Sequence, residues 1–321
     1  MALSTELHIV TGKGGTGKTT VAASLAMALA DKGKKVLLCE VEGRQGIAQL
    51  FDVPPLPYEE RKIALGLGGG EVFALAIDAE SALLEYLSMF YRLGRAGKLM
   101  DRFGVIDFAT TIAPGVRDVL LTGKVYEAAK RKTGSKFVYD AVIMDAPPTG
   151  RITRFLNVNS EIAGLAKVGP IRRQADSIMQ MMRSATTRVH LVTVLEEMPV
   201  QETIDGIAEL GTQKLPVGHV ILNLVRPALL SEKTREAVTG GTLTATKVAN
   251  SLKKVRLDPD SAKALITEGQ SHIERQELQD RQREVLTGEA KRLAELPYLS
   301  DGIDLGALFE LAETLKAGGV L

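Results

Sequence analysis

The chain has 321 residues, 45% of them hydrophobic, and its 40 basic and 39 acidic side chains leave a net charge of +1. That length allows one large or two ordinary domains, and the balanced charge argues against nucleic acid as the main partner. The single cysteine, Cys39, rules out an internal disulfide and a C-x-x-C zinc clasp, and no run of about 20 apolar residues could span a bilayer. We therefore expect a cytoplasmic protein for which only peripheral membrane contact remains open.

A glycine-rich segment near the start of the chain, residues 12–20 with the sequence GKGGTGKTT, matches the phosphate-binding pattern G-x-x-x-x-G-K-[ST]. The apolar residues 7–10 before it predict a strand, and the alanine-rich residues 19–30 predict a helix. This order places a helix N-terminus beneath bound phosphates. The residues predicted to bind the phosphates are Gly12, Gly14, Gly15, Thr16, Gly17, Lys18, Thr19 and Thr20.

Two lysines of this loop have different expected roles. Lys18, at the start of the helix, is the usual phosphate-binding lysine of such loops. Lys13 follows the first glycine, where its long side chain could reach a phosphate bound to a facing subunit and act in trans as an arginine finger does. A solvated surface lysine is the alternative, and within this motif we favour the role in trans.

The second predicted strand, residues 36–39, leads into two acidic residues. Glu40 and Glu42 alternate with Val41, so in an extended strand they would point to the same side of the sheet edge that binds ligands. A carboxylate at that edge can orient the water that attacks a γ-phosphate, although strand-end acids also serve in salt bridges. The polar residues 43–46 that follow resemble a switch loop that responds to the γ-phosphate.

A later apolar strand, residues 137–145, ends at Asp145. An acid delivered by a buried strand beside a phosphate loop can hold Mg²⁺ together with the hydroxyl of Thr19. The residues that follow, 146–150, form a second predicted switch, in which Gly150 can present its backbone N–H to the γ-phosphate.

The segments between these strands divide into loops and helices. Residues 52–70 are rich in proline and glycine and predict a loop, and residues 72–77 predict a buried strand. Residues 79–132 and 160–186 have apolar helical patterns and are expected to form a helical subdomain inserted in a single domain spanning residues 1–321. Its apolar face serves either as ordinary core or as a groove for an apolar client, and for the methionines of residues 178–182 we favour core packing.

The remainder of the chain predicts more sheet and then a charged helical region. Residues 189–195 and 218–222 predict strands, and Asn223 stands at the tip of the second, where its amide could read an adenine edge. Residues 231–296 predict charged helices whose basic runs are solvated, and a last helix is expected after Pro297.

These motifs together resemble the arsenite-transporter and tail-anchored-protein-targeting ATPase family, which belongs to the dimeric P-loop ATPases. The resemblance rests on GKGGTGKTT at residues 12–20, EVEGR at 40–44, MDAPPTGRITRFL at 144–156, and Asn223, supported by similarity over residues 190–210. The sequence as a whole most resembles the bacterial, actinobacterial-type members of this family. The implied fold is an α/β P-loop NTPase with a mostly parallel sheet flanked by helices.

The resemblance also implies residue roles and cofactors. ATP and Mg²⁺ are the implied cofactors, and the partner is a second copy or a paralogous ATPase. By this resemblance Lys13 is the signature lysine that crosses between subunits, and Lys18 binds the β- and γ-phosphates. Thr19 and Asp145 serve the metal, while Asn223 and Pro297 frame the adenine.

Two departures from the family pattern bear on function. Where the family has an aspartate that orients the attacking water, this chain has Glu42, whose extra methylene moves the carboxylate by about 1 Å or more and predicts slow hydrolysis. The arsenite-binding and zinc-binding cysteines are absent, because Cys39 is the only cysteine. A Mg²⁺-dependent ATPase that dimerises around ATP to bind a client is the favoured hypothesis, and a slow-hydrolysing nucleotide-gated scaffold, or the regulatory subunit of a paralogous heterodimer, is the alternative.

Overall fold

The computed structural model describes residues 5–91, 114–157 and 170–321. No helix within those ranges is long and apolar enough to cross a membrane. The strands are β1 (Glu6–Gly12), β2 (Lys35–Glu40), β3 (Arg61–Leu65), β4 (Glu71–Ala76), β5 (Lys132–Thr133), β6 (Lys136–Phe137), β7 (Ala141–Asp145), β8 (Thr187–Thr193), β9 (Val217–Val225) and β10 (Leu293–Pro297). The helices are α1 (Lys18–Asp31), α2 (Gly46–Leu50), α3 (Ala79–Tyr91), α4 (Pro114–Lys130), α5 (Thr149–Leu156), α6 (Pro170–Met182), α7 (Glu197–Thr212), α8 (Glu232–Thr239), α9 (Ala245–Lys254), α10 (Ala262–Glu289) and α11 (Leu305–Ala317).

Eight of the strands form one sheet in the order β10-β9-β8-β1-β7-β2-β4-β3. All neighbouring strands in it are parallel except β3, which runs antiparallel to β4 at one edge. Parallel strands joined by helical crossovers deliver their carboxyl ends to one edge of a sheet. The predicted α/β fold with a mostly parallel sheet is therefore confirmed.

The core lies on both faces of the sheet. On one face, α1 is buried without interruption from Val21 to Ala30 and packs beside α11. Its run of alanines lets the helix approach the strands closely. On the other face, α4, α5, α6 and α7 pack against alternate residues of the same strands. This two-sided burial explains why the strands appear in the sequence as continuous apolar runs.

The structure corrects two of the predicted segments. Residues 61–65 form the edge strand β3, although the surrounding prolines and glycines predicted a loop. Residues 293–297 form β10, although helix was expected up to residue 296. Both strands are short, lie at the two edges of the sheet and carry exposed charged residues, so neither has the apolar run by which the central strands are recognised.

The predicted helical subdomain, residues 79–132 and 160–186, falls partly outside the described residues, because residues 92–113 and 160–169 belong to it. Within the described part, α3, α4 and α6 are helical as expected. The side chains of Ile178, Met179, Met181 and Met182 are all buried in the core, which supports packing rather than an exposed methionine surface. Leu84 on α3 is 41% exposed. The boundaries of the subdomain and the presence of a client groove remain predictions.

Three histidines on adjacent strands form a buried chain of hydrogen bonds. Nδ1 of His190 accepts from the backbone N–H of His219 at 3.2 Å, so the proton of the His190 ring lies on Nε2. That nitrogen is 3.0 Å from Nδ1 of His8, whose Nε2 is in turn 3.4 Å from the carboxylate of Glu6. Burial lowers the pKa of His8 and lowers that of His190 further, so both rings are neutral in the folded protein.

We expect this chain to make the fold sensitive to acid. As pH falls through about 6.5, the histidines of the unfolded chain take up protons that the folded chain excludes, so each buried ring removes up to about 1.4 kcal/mol of unfolding free energy per pH unit. Thermal melts between neutral pH and pH of about 5.5 measure the loss. The double variant His8→Asn/His190→Asn, whose amides can still hydrogen-bond, should show a smaller slope. An equal slope in both proteins would contradict this origin of the acid sensitivity.

Candidate nucleotide-binding site

Hydrogen bonds from β9 and within the loop hold the backbone of the loop between β1 and α1. Asn223, which is buried at the end of β9, donates its amide N–H to the carbonyl of Thr16 at 2.9 Å. The Thr16 hydroxyl in turn donates to the carbonyl of Lys13 at 2.9 Å. Gly17 has a left-handed backbone (φ +87°) and lies so close to Asn223 that a Cβ would be 2.3 Å from the amide nitrogen. Contacts from β9 and from within the loop therefore fix the backbone conformation of the loop.

Lys18 and Lys13 occupy different positions in this loop. The ammonium of Lys18 donates to the carbonyl of Lys13 at 3.3 Å, and burial lowers its pKa while Asp145 and Glu42 oppose that shift. The Lys13 side chain points away from its own loop and forms an ion pair with Glu202 of α7 at 2.8 Å, with 32% of the lysine side chain exposed. In the isolated chain, Lys13 is thus paired and within reach of solvent.

The predicted metal-binding pair meets across the sheet edge. The hydroxyl of Thr19 donates to Oδ2 of Asp145 at 2.7 Å. The other oxygen, Oδ1, is buried and has no hydrogen-bond partner within the described part of the chain. Burial raises the pKa of Asp145 to about 6, which shows how poorly the bare carboxylate is compensated. A hydroxyl and a carboxylate with a free lone pair beside a phosphate loop fit Mg²⁺, an ion that prefers oxygen ligands.

Glu40, the last residue of β2, and Glu42, two residues beyond it, have separate environments, so the expectation that they share one side of an extended strand is wrong. The strand ends at Glu40 and the chain bends at Val41. The buried Glu40 carboxylate accepts from the backbone N–H groups of Gln45 and Ile47, which fixes the following switch loop and the start of α2. Glu42 remains partly exposed beside Arg44 at 3.5 Å. Glu42 is thus the carboxylate available to a water, and Glu40 has a structural role.

Arg151 links Glu42 to the helical layer. Its guanidinium, at the start of α5, lies 3.9 Å from Glu42 and 3.8 Å from Asp118 of α4. These side chains, with Arg44 and Arg117, line a pocket of about 110 Å³ next to the switch loop. The arrangement joins the loop that carries Glu42 to α4 by two long ion pairs.

The residues predicted to frame a base also lie at this edge. Pro297 ends β10 and pairs with Val225, two residues beyond Asn223 on β9. Just past these strand ends, the guanidinium of Arg226 lies 4.2 Å from the ring centre of Tyr298. Gly150 is exposed in the first turn of α5, as expected for a residue that offers a backbone N–H. The adenine and γ-phosphate roles of these residues remain predictions.

Sequence reasoning missed the partners that hold the site together. Glu202 and Asp118 lie on helices and have no motif that marks them, so only the three-dimensional structure brings them to Lys13 and Arg151. The alternation of Glu40 with Glu42 correctly marked acidic residues at the end of a strand. It did not reveal the bend at Val41 that separates them.

Comparison with known proteins places these features in a family context. The model of the family described as anion-transporting ATPase matches residues 5–188. The chain is 52% identical to ATPase BagA of Mycobacterium tuberculosis over 98% of this chain and 93% of that protein. It is 26% identical to ATPase GET3 of Rhodotorula glutinis, over 67% of this chain and 68% of that protein. It is also 26% identical to the arsenical pump-driving ATPase of Escherichia coli, over 71% of this chain and 40% of that protein.

The shape of the loop predicts a sharp difference between two glycine variants. A Cβ at Gly12 would lie 2.1 Å from the backbone oxygen of Val192 on β8, so Gly12→Ala must displace the end of β1. We expect it to lose nucleotide binding and about 3 kcal/mol of unfolding free energy. A Cβ at Gly14 meets no atom within 4 Å, so Gly14→Ala is the matched control and should melt like the parent protein. Titration with a fluorescent ATP analogue and thermal melts test both, and equal behaviour would refute the close-approach explanation.

Proposed function

Because this chain belongs to the anion-transporting ATPase family, we propose that it is a Mg²⁺-dependent ATP hydrolase that closes as a dimer around ATP. The resemblance to arsenite-transporter and tail-anchored-protein-targeting ATPases is confirmed by that membership, and the mycobacterial relative agrees with an actinobacterial type. In the proposed cycle, the nucleotide state controls binding of a client, either a protein or a membrane-associated molecule. The observation that carries the proposal is the contact of Thr19 with Asp145 beside Lys18.

Each residue of the site has a defined task in the proposed reaction. The loop from Gly12 to Lys18 would cradle the phosphates with its backbone N–H groups, and the Lys18 ammonium would offset their charge. Thr19 and Asp145 would hold Mg²⁺, which when bound supplies charge stabilisation at the β- and γ-phosphates. Glu42 would orient the attacking water, because its carboxylate lies at the strand edge and keeps contact with solvent.

The position of Lys13 supports the proposed dimer. Its side chain leaves its own loop and pairs with Glu202, so it does not complete the site of its own subunit in this structure. A half-exposed ion pair is weak and exchangeable. We propose that Lys13 leaves Glu202 when a second subunit presents bound ATP, and that it then contacts the phosphates of that subunit. The second subunit is either an identical copy or a paralogous ATPase.

The coupling to a client would run through Arg151. Hydrolysis changes the charge next to Glu42, and Arg151 joins Glu42 to Asp118 of α4. A shift of α4 would reach α3, because Lys124 of α4 contacts Glu85 of α3 at 2.7 Å. We place client binding in this helical layer, and a cytoplasmic location agrees with the proposal. A phosphotransferase acting on a small metabolite is less favoured, since it would leave Lys13 without a task.

Removal of Lys13 tests the dimer. We expect Lys13→Ala to bind ATP as a monomer, to lose ATP-dependent dimerisation and to lower turnover about a thousandfold, the scale of a missing arginine finger. Glu202→Gln is the matched opposite, because it releases Lys13 and should tighten the ATP-bound dimer by about fivefold, the scale of one weak ion pair. Light scattering with Mg-ATP and phosphate release measure both quantities. Unchanged dimerisation and turnover in Lys13→Ala would exclude the mechanism.

A single-turnover hydrolysis experiment distinguishes the enzyme from the alternative, a slow nucleotide-gated scaffold or regulatory subunit. The glutamate at position 42 favours that alternative. For the enzyme, we expect Glu42→Gln to slow hydrolysis of bound ATP by about a hundredfold or more, since it removes the carboxylate that orients the water. Nucleotide affinity should stay the same, and its measurement is the control. A scaffold would retain intact ATP for many minutes in the parent protein, with no further effect of the substitution.

A further inference from the structure

The helical hairpin formed by α9 and α10 ends in a tip that no part of the proposed function uses. We define the hairpin tip as residues 253–265, which comprise the end of α9, a turn with one 3-10 segment at Pro259–Ser261, and the first turn of α10. The turn is a well-formed helix terminus: the N–H groups of Arg256 and Leu257 donate to the carbonyls of Lys253 and Leu252. The tip is thus a structured surface.

The hairpin tip exposes large apolar side chains. Val255 is 65% exposed, Leu257 is 60% exposed, and Leu265 one turn into α10 is 48% exposed. In contrast, Leu252 and Ala262 on the inner side of the hairpin are buried. Val255 and Leu257 lie in the turn and Leu265 lies in the first turn of α10, so three large exposed apolar side chains fall within the hairpin tip, whereas single exposed leucines are ordinary on protein surfaces.

The hairpin tip also carries basic side chains. Lys253, Lys254, Arg256 and Lys263 are all exposed, and none of them forms an ion pair within the described ranges of the chain. Of the two acids in the tip, Asp258 is occupied in capping the turn, where it accepts from the Asp260 N–H and the Ser261 hydroxyl. The exposed residues of the hairpin tip therefore combine large apolar side chains with an excess of positive charge.

The hydrogen bonds and ion pair that tie α10 to β9, to the segment after it and to β10 lie in the later part of the helix. The first contact that ties this helix to the β9 end is at His272, whose ring accepts from the Leu229 N–H at 3.2 Å, followed by Gln276 and by Arg283, which pairs with Glu295. Ala262 lies ten residues before His272, or about 15 Å along a helix. Taken as a whole, α10 packs against α9, α7, α8 and the 3-10 turn.

Arg256 occupies a position at which glycine is the favoured residue. Its φ is +60°, in the left-handed region, at the second residue after the end of α9. Glycine adopts this conformation without the steric cost that a Cβ brings. The strain is therefore accepted at a position where the side chain adds a positive charge to the hairpin tip.

From these observations we propose that the hairpin tip docks on the surface of a membrane that contains anionic lipids, with Val255 and Leu257 entering the headgroup layer. Basic side chains are attracted to phosphate headgroups, and apolar side chains gain from entering the interface. Because both the basic and the apolar side chains would contribute, we favour a lipid surface over an acidic protein surface. An acidic protein surface would account for the basic side chains but would not require apolar residues at the most exposed point of the turn. Binding of this kind needs no nucleotide and is independent of the proposed hydrolysis.

The chain contains no tryptophan, so one introduced residue reports on the tip alone. The full-length Leu257→Trp protein should show a blue shift of its fluorescence when vesicles of phosphatidylcholine with one-third phosphatidylglycerol are added without nucleotide. Vesicles of pure phosphatidylcholine should give little shift, and added salt should reverse the effect. Leu229→Trp, at a 74% exposed site beside the His272 anchor, is the matched control and should not respond.

Vesicle sedimentation of tryptophan-free variants tests the contributions separately. We expect Leu257→Ser to weaken binding about tenfold and Lys254→Glu about fivefold or more. Leu229→Ser and Lys291→Glu remove the same groups away from the tip and should bind like the parent. Arg256→Gly should also weaken binding while raising the melting temperature, since it relieves the left-handed strain; its lost binding could not come from unfolding.

Three results would overturn the proposal. The first is absence of binding to anionic vesicles, and the second is binding that the tip variants leave unchanged. The third is a tip substitution that alters the oligomeric state in the absence of lipid, because the hairpin tip would then contact a second copy of the chain. Since every measurement omits nucleotide, failure here leaves the proposed ATPase cycle unaffected, and loss of ATP hydrolysis leaves vesicle binding unaffected.

Discussion

The register of the parallel strands is the constraint on which the site depends. Val10 of β1 pairs with Asp145 of β7, and Asp145 pairs with Glu40 of β2, so three strand ends lie in one row across the sheet. A register slip of two residues would move a strand by about 7 Å. The hydroxyl of Thr19 could then no longer reach Asp145, which it contacts at 2.7 Å. The site is therefore set by backbone pairing and two-sided core packing, well before any ligand is bound.

The charged groups of the site are balanced against one another within the chain. Burial lowers the pKa of Lys18 and raises that of Asp145, so both groups are unfavourably placed as ions and each partly compensates the other. Lys13 is held by Glu202, and Arg151 lies between Glu42 and Asp118. An incoming polyphosphate would compete with these carboxylates for the same cations. The lysine and arginine side chains of the site could thus exchange their carboxylate partners for phosphate oxygens.

The sequence predicted the parts of the fold that have strong local signals. Central strands such as β2 and β7 are buried on both faces and appear as apolar runs, and the phosphate loop has a fixed spacing of glycines. The edge strands β3 and β10 were missed because half-exposed, charged strands carry no such run. The bend after Glu40 was missed because alternation of residue types does not reveal where a strand stops. Partners such as Glu202 depend on helix placement, which is set by packing between distant segments.

The ion pairs that surround Glu42 suit a switch better than a permanent joint. Glu42 pairs with Arg44 at 3.5 Å and with Arg151 at 3.9 Å, and Arg151 lies 3.8 Å from Asp118; both arginines are well exposed, so these pairs contribute little to stability and can break and re-form at small cost. By contrast, α4 itself is firmly packed, because Leu121 and Val125 are buried in the core and Arg131 forms a closer pair with Glu60 at 2.8 Å. In the proposed cycle, this weak contact at the first turns of a well-packed 17-residue helix would let the site bias the position of that helix. The same contact would fail as a signal if it were buried and strong, since the loop carrying Glu42 could not then change partners.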